Sequence, residues 1–462
     1  MSKPGWRLRI WFNRTADNLL HQLKLLNTGP APEFNLELAP RLNLFTGDNS
    51  LGKSFLLDTA WYSLTRRWPQ EINPKISGGS MAMPRNREKP AKLQFMVDGE
   101  LPKSQAKSYE CEFNLEKDAW VGKPGRPVNP GIVLYAMADG SFAVWDPARN
   151  AWRLEEKGET PERIRPYIFT SADLWKGLEN PDSSLGKLCN GLIQDWGNWQ
   201  RDKGDTYEQL KAVLKALSPS TKDEDLIKPG QLVALRVGDT QDYPSILMPD
   251  GTTVPVVQAS SGAKRVLSIA YLLVWAWQEH VKACKLLAKA PAKQIIFLID
   301  EVESHLHPKW QRTVVRGLMK AVENLGQSTS VQLMLSTHSP LVMASIEPIF
   351  DPALDRWWDL DLDETTKIPQ LTRRQYVRLG DANSWLLSDA FDQGATGSIE
   401  AEEALIVART LLQQGKHANP SEVKQAEVRL QQVLGETDPF WNRWRIMGKR
   451  EGWVFHSIEQ MD

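Results

Sequence analysis

The apolar positions change period several times along the chain, and each change predicts a different element. Phe34, Leu36 and Leu38 alternate with Asn35 and Glu37, the two-residue period of a half-buried strand, and a second short apolar run, LNLF, follows. GDNSLGKS at 47–54 then interrupts the pattern, and FLLDTAWYSLTRRW continues as a helix up to the Pro and Gly cluster of 74–79. Between about 90 and 170, short strand patterns predict an antiparallel β lobe, with GIVLYAM and SFAVWD paired across Asp139 and Gly140. From about 160 to 230 the chain reads as a helical insertion, with Tyr207, Leu210, Val213, Leu214 and Leu217 at helical spacing. A strand pair around QLVALRV and PSILM, turned at Asp250 and Gly251, leads into the long helix of SSGAKRVLSIAYLLVWAW. IIFLI at 295–299 is an unbroken apolar run and VQLML at 331–335 is a second run broken only by Gln332, as expected of parallel strands covered on both faces. The pattern therefore predicts an α/β head over 1–350 that contains the lobe and the insertion. A mainly helical region over 351–462 is left for assembly or partner binding.

Composition narrows this only slightly. With 462 residues, 41% hydrophobic, 24% charged and a net charge of −1, the chain is globular in class and has no strong overall attraction to nucleic acid. Cys111, Cys189 and Cys284 are too scattered for a disulfide framework or a thiolate zinc site and read as reduced, buried thiols. Trp61, Trp68, Trp275 and Trp277 fall in apolar helical stretches and read as core. No apolar run reaches the ~18 residues of a membrane helix, and the opening MSKPGWRLRIWF lacks the features of a signal peptide, so a cytoplasmic, membrane-free protein is expected.

The interruption at 47–54 changes the picture most. It satisfies G-x-x-x-x-G-K-[ST] with a strand before it and a helix after it, the context in which backbone N–H groups cradle phosphates. Gly47, Asp48, Asn49, Ser50, Leu51, Gly52, Lys53, Ser54 and Phe55 are the candidate contacts for ATP. Lys53 reaches the β and γ phosphates, and the Ser54 hydroxyl helps to hold Mg²⁺. The strand IIFLI ends in two adjacent acids: Asp300 as the Mg²⁺ partner and Glu301 as the group that orients or deprotonates the attacking water. His338, just beyond VQLML, can donate toward a terminal phosphate. His305 and His307 are weak as metal ligands by spacing. Ser260, Ser261 and Gly262 open a helix and would face an anion, although alone they amount to an N-cap. DLDLDE at 359–364 reads as an exposed strand or turn.

The order GDNSLGKS, SSGAKR, IIFLIDE, STH resembles the Walker A, signature, Walker B and switch-histidine sequence of ABC-type ATPases, and the chain is similar to their soluble SMC and RecF-like branch. Asn49 matches the G-x-N of those loops, Ser50 stands where glycine is common, and Ala263 replaces the usual Glu or Gln. The resemblance implies that Ser260, Ser261 and Gly262 contact ATP held by another copy, giving head-to-tail dimers and, built from them, a hexamer. More narrowly, DEVESHLHP, STHSPLVMAS and GDANSWLLSDAF look like the ATPases of antiphage systems, the Septu ATPase subunits above all, with Val302 where proline is common. That implies a regulatory ATPase assembled with a separate nuclease subunit of HNH type, meeting nucleic acid through the complex. A DNA-binding repair ATPase and an ATPase-nuclease of the OLD type remain as alternatives. Arms of the chromosome-organising kind would need sustained heptads between Ser54 and Ser260, and none are present.

Overall fold

The computed structural model describes residues 19–97, 107–122, 130–150, 165–180, 186–326, 329–388, 390–391 and 397–453. The opening stretch MSKPGWRLRIWF and the first residues of the expected insertion lie outside these. The chain divides into two compact units, one up to Gly380 and one from Asp381.

In the first unit, β1 (Leu20–Thr28) and β2 (Ala31–Glu37) pair antiparallel, and β3 (Leu42–Gly47) leads through the loop to α1 (Lys53–Thr65). β4 (Lys92–Val97), β5 (Lys107–Asn114) and β6 (Ala119–Gly122) complete a five-stranded antiparallel sheet in the order β2-β1-β4-β5-β6. One core joins Leu23, Leu25, Leu93 and Phe95 of this sheet to Leu56, Ala60 and Trp61 of α1, and to Phe45, Ile296 and Leu298 of the central sheet. Burying each such large side chain contributes ~1.5–3 kcal/mol.

The central sheet takes in β7 (Ile132–Ala136), β8 (Phe142–Trp145), β9 (Tyr167–Phe169), β10 (Gln294–Ile299), β11 (Ser330–Ser336), β12 (Asp355–Leu362) and β13 (Pro369–Arg374) as well as β3. Its order is β13-β12-β3-β11-β10-β7-β8-β9, with β12, β3, β11, β10 and β7 parallel. All six residues of β10 are buried, as its unbroken apolar run requires. The insertion supplies α2 (Leu192–Asp202) and α3 (Asp205–Ala216), and α3 buries Leu210, Val213 and Leu214. α4 (Ser261–Leu286) and α5 (Val314–Glu323) follow, and α4 is apolar almost all round, which is why Trp275 and Trp277 are buried in it.

Four expectations need correction. The hairpin at Asp139 and Gly140 forms, but β7 to β9 extend the central sheet and do not join the lobe, because β7 pairs with β10. PSILM pairs across Asp250 and Gly251 with the strand Thr253–Pro255, while QLVALRV contributes one bridge, Val233 to Tyr243. The head extends past 350 to Gly380, since β12 lies parallel to β3 and β13 pairs with β12. DLDLDE is, as expected, a strand running into a turn, but β12 takes in its first four residues and its Asp359 is buried, not exposed, accepting from Thr46 Oγ1 at 2.7 Å and Arg374 Nε at 3.1 Å.

The second unit contains α6 (Ile399–Gln414), α7 (Pro420–Val433) and α8 (Phe440–Arg450) around Ala404, Ala408, Leu411, Leu430 and Trp444. Ser398 and Asn419 cap the first two helices by accepting from the N–H groups of Ala401 and Ser421.

Candidate nucleotide site

β3 ends at Gly47, where φ is 118° and an added Cβ would collide with the carbonyl oxygen of Leu360 on β12. Only glycine fits there. Gly52, at φ 113°, is the N-cap of α1, so the free N–H groups and partial positive charge of that helix end lie at the loop. Lys53 opens the helix, and its buried ammonium donates to the carbonyls of Gly47 at 2.8 Å and Asp48 at 2.6 Å. Burial lowers its pKa, against the pull of Asp300, Asp48, Glu301 and Glu303. Ser50 has φ 65°, a left-handed conformation that costs a residue with a Cβ ~1–2 kcal/mol and glycine little.

Asp300 follows β10, and its N–H donates to the Ala136 carbonyl of β7 at 2.9 Å. Ser336, at the end of β11, donates its hydroxyl to the buried Asp300 carboxylate at 2.5 Å and accepts the N–H of Glu301 at 2.7 Å. One hydroxyl thus positions both acids. His338 is half-buried, and burial together with nearby Lys53 lowers its pKa, which favours the neutral imidazole with its one N–H donor.

Asn49, Ser50, Gly52, Lys53, Ser54, Asp300, Glu301 and His338 line one cavity of roughly 180 Å³. Gly47, Asp48, Leu51 and Phe55 shape the loop without lining it: Leu51 is buried, and the Phe55 ring fills the space beside Gly29. Ser54 and Asp300 place a hydroxyl and a carboxylate on the same cavity, an oxygen donor set that suits Mg²⁺ with water completing the shell. Ser260, Ser261 and Gly262 do not line it. Ser260 accepts from the Ala263 N–H at 3.3 Å as the N-cap of α4, Ser261 is exposed, and a Cβ on Gly262 would come within 2.6 Å of the His305 carbonyl. His307 caps its own turn by accepting from the Lys309 N–H, and the His305 side chain is exposed.

Two contributors escaped sequence reasoning. Glu303 accepts from the Thr337 hydroxyl at 2.7 Å and from the His338 N–H, tying the loop after β10 to the loop that carries the histidine. Burial raises its pKa, although both bonds favour the carboxylate. Its only signal was a third acid in DEVE. Asp58 lies one turn beyond Ser54 on α1 and accepts from the Tyr135 hydroxyl at 2.8 Å. Burial, with nearby Asp300 adding to it, pushes its carboxyl up to about 7.

Residues 42–344 match the family described as "AAA domain, putative AbiEii toxin, Type IV TA system". The chain belongs to that family. Among curated relatives, it is 25% identical over 170 residues to "Retron Vc95 probable ATPase" of Vibrio cholerae serotype O1 biovar El Tor, covering 35% of this chain and 29% of the relative. It is 32% identical over 97 residues to "Retron Ec83 probable ATPase" of Escherichia coli, covering 21% and 15%. The matches therefore span less than a third of either relative's length. Among solved structures, an Smc head bound to the C-winged helix domain of ScpA covers 77% of this chain and 97% of its own, at 11% identity and a TM-score of 0.39. An SMC head domain from Thermotoga maritima, covering 77% and 99%, gives 13% and 0.36. A RecF structure, covering 78% and 100%, gives 12% and 0.33. The strand order and the cavity, not these scores, carry the assignment of an α/β P-loop fold to this family member.

Proposed function

We propose that the protein binds ATP with Mg²⁺ in this cavity, hydrolyses it, and acts as a cytoplasmic regulatory subunit of an antiphage defence complex of the Septu kind, controlling a separate HNH-type nuclease. The observation that carries the reading is the convergence of Lys53, Asp300, Glu301 and His338 on one cavity at the carboxyl edge of parallel strands, where open α/β sheets take ligands. The loop N–H groups and the Lys53 ammonium neutralise phosphate charge. Ser54 and Asp300 would hold Mg²⁺, which would supply further neutralisation of phosphate charge. Glu301 accepts a proton from the water that attacks the γ phosphorus as its bond to the ADP oxygen breaks and ADP leaves, and His338 donates a hydrogen bond to the terminal phosphate.

The defence role draws on the two retron ATPase relatives and on the family description, which names a toxin of a toxin–antitoxin system. For the assembly, the support is that Ser260, Ser261 and Gly262 stand outside their own chain's cavity at the tip of a 26-residue helix. A phosphate contact from that tip requires another copy, so ATP would join protomers head to tail, and hydrolysis would loosen the assembly and change the nuclease it carries. A shared triphosphate can supply the ~1–3 kcal/mol of differential affinity that regulation needs.

Two variants test this. Lys53→Ala should weaken ATP binding by about 100-fold, the loss of charge-assisted bonds. Glu301→Gln should keep ATP, lose turnover by ~10²–10⁴-fold, and accumulate the ATP-joined assembly in analytical ultracentrifugation. Identical oligomer distributions with and without ATP in both variants would remove the switch from the proposal.

A further inference from the structure

In α8, FWNRWRIMGKR, Arg443, Arg445, Lys449 and Arg450 occur with no acidic residue among them. None of the four has a carboxylate partner among the described residues, whereas on the neighbouring helices of the same unit Arg429 meets Glu403 at 2.6 Å. At 3.6 residues per turn, the buried Trp444 and Gly448 take one side of the helix. Arg445, Lys449, Asn442, Ile446, Arg450 and Arg443 follow one another round the other side, and all six are exposed. They form two parallel rows, Arg443-Ile446-Arg450 and Asn442-Arg445-Lys449. Each row is about 10 Å long at 1.5 Å per residue, close to the rise over three phosphate-to-phosphate steps of one nucleic-acid strand, ~3.4 Å each.

We propose that this face of α8 binds the phosphodiester backbone of nucleic acid directly, a contact made by the chain itself and independent of the nucleotide cavity. Guanidinium forks match phosphate oxygens, and Asn442 adds an amide donor between them. The Arg445 guanidinium lies 5.9 Å from the centre of the Trp441 ring, which steadies it in the middle of its row. Ile446, 62% exposed, is the one apolar side chain in the patch. That is too little to insert into a lipid surface, because the helix turns its aromatic side inward.

The test uses the full chain with a labelled 20-nucleotide single strand and the matching duplex, titrated over a range of salt concentrations. The expected log–log slope is about −3, near 0.7 to 0.9 per cation engaged. Changing Arg443, Arg445, Lys449 and Arg450 together to Gln should flatten that slope by about 2 or more and weaken binding at least tenfold at 100 mM salt. Changing the three arginines to Lys should restore most of it. The Gln variant should bind ATP as the parent does, which separates lost contact from lost folding. Lys53→Ala should keep its nucleic-acid binding, which separates this proposal from the nucleotide reading. Three results would overturn it: equal binding and slope for parent and Gln variant, no binding by the parent at 50 mM salt, or preference for anionic vesicles or polyglutamate over either strand form at matched charge.

Discussion

At the edge of the central sheet, Lys53, Asp58 and Asp300 are buried within one neighbourhood, and Ser50 and Glu301 hold left-handed backbones at φ 65° and 47°. In the C-terminal unit the cations of α8 stand in solvent, the core is Leu411, Leu412, Val423, Leu430, Trp444 and alanines, and among its described residues positive φ occurs only at glycines, Gly415 and Gly452. One region concentrates desolvated charge and strain, which destabilise a fold but preset geometry for a charged ligand. The other keeps charge where solvent screens it and leaves a surface that any polyanion can reach. Chemistry is expected at the first and contact at the second.

The largest test of that contrast is the buried acid. Asp58 titrates near 7 in the fold and near the ordinary aspartate value when unfolded, so between about pH 4 and 7 the folded state holds a proton that the unfolded state has released. Stability is therefore lost as pH rises through that window, by up to roughly 4 kcal/mol, and is flat above it. Asp58→Asn keeps an acceptor for Tyr135 and should not lose it, so urea midpoints of the two chains should diverge with pH; parallel curves would break the comparison. A smaller effect is expected at Glu303. Glu303→Ala leaves the Thr337 hydroxyl and the His338 N–H without their acceptor, at about 2 kcal/mol, and should lower kcat for ATP while KM holds, because the histidine loop loses its tether. Smallest is Ser50→Gly, which relieves the left-handed strain and should raise stability by about 0.5–1 kcal/mol in thermal unfolding, net of the entropy glycine adds to the unfolded chain.

Much of this was legible locally. Residues of the loop at 47–54, the acids after IIFLI and His338 could be singled out, and they line one cavity, because each belongs to a short word bound to the end of a largely apolar strand. Glu303 and Asp58 were not, because their roles depend on what lies across the sheet: the Thr337 hydroxyl and His338 N–H for one, Tyr135 for the other. The acidic run at 359–364 misled in its exposure alone, for a related reason. Asp359 in isolation reads as solvated, yet Thr46 and Arg374 satisfy it once β12 lies beside β3. The basic face of α8 was open to reading but diluted by a net charge of −1 over 462 residues.

By itself the sequence marked the strand–loop–helix at 47–54, the acids that end β10 and the long helix after Ser260, since these follow from apolar period and from residues within a few positions of one another. Tertiary structure alone decided that β7 to β9, β12 and β13 join the central sheet, that Leu360 closes over Gly47, and that Asp58 sits in low dielectric near Asp300. The physical reason is range: strand pairing and desolvation act between residues hundreds of positions apart, and no local pattern records which of them will meet.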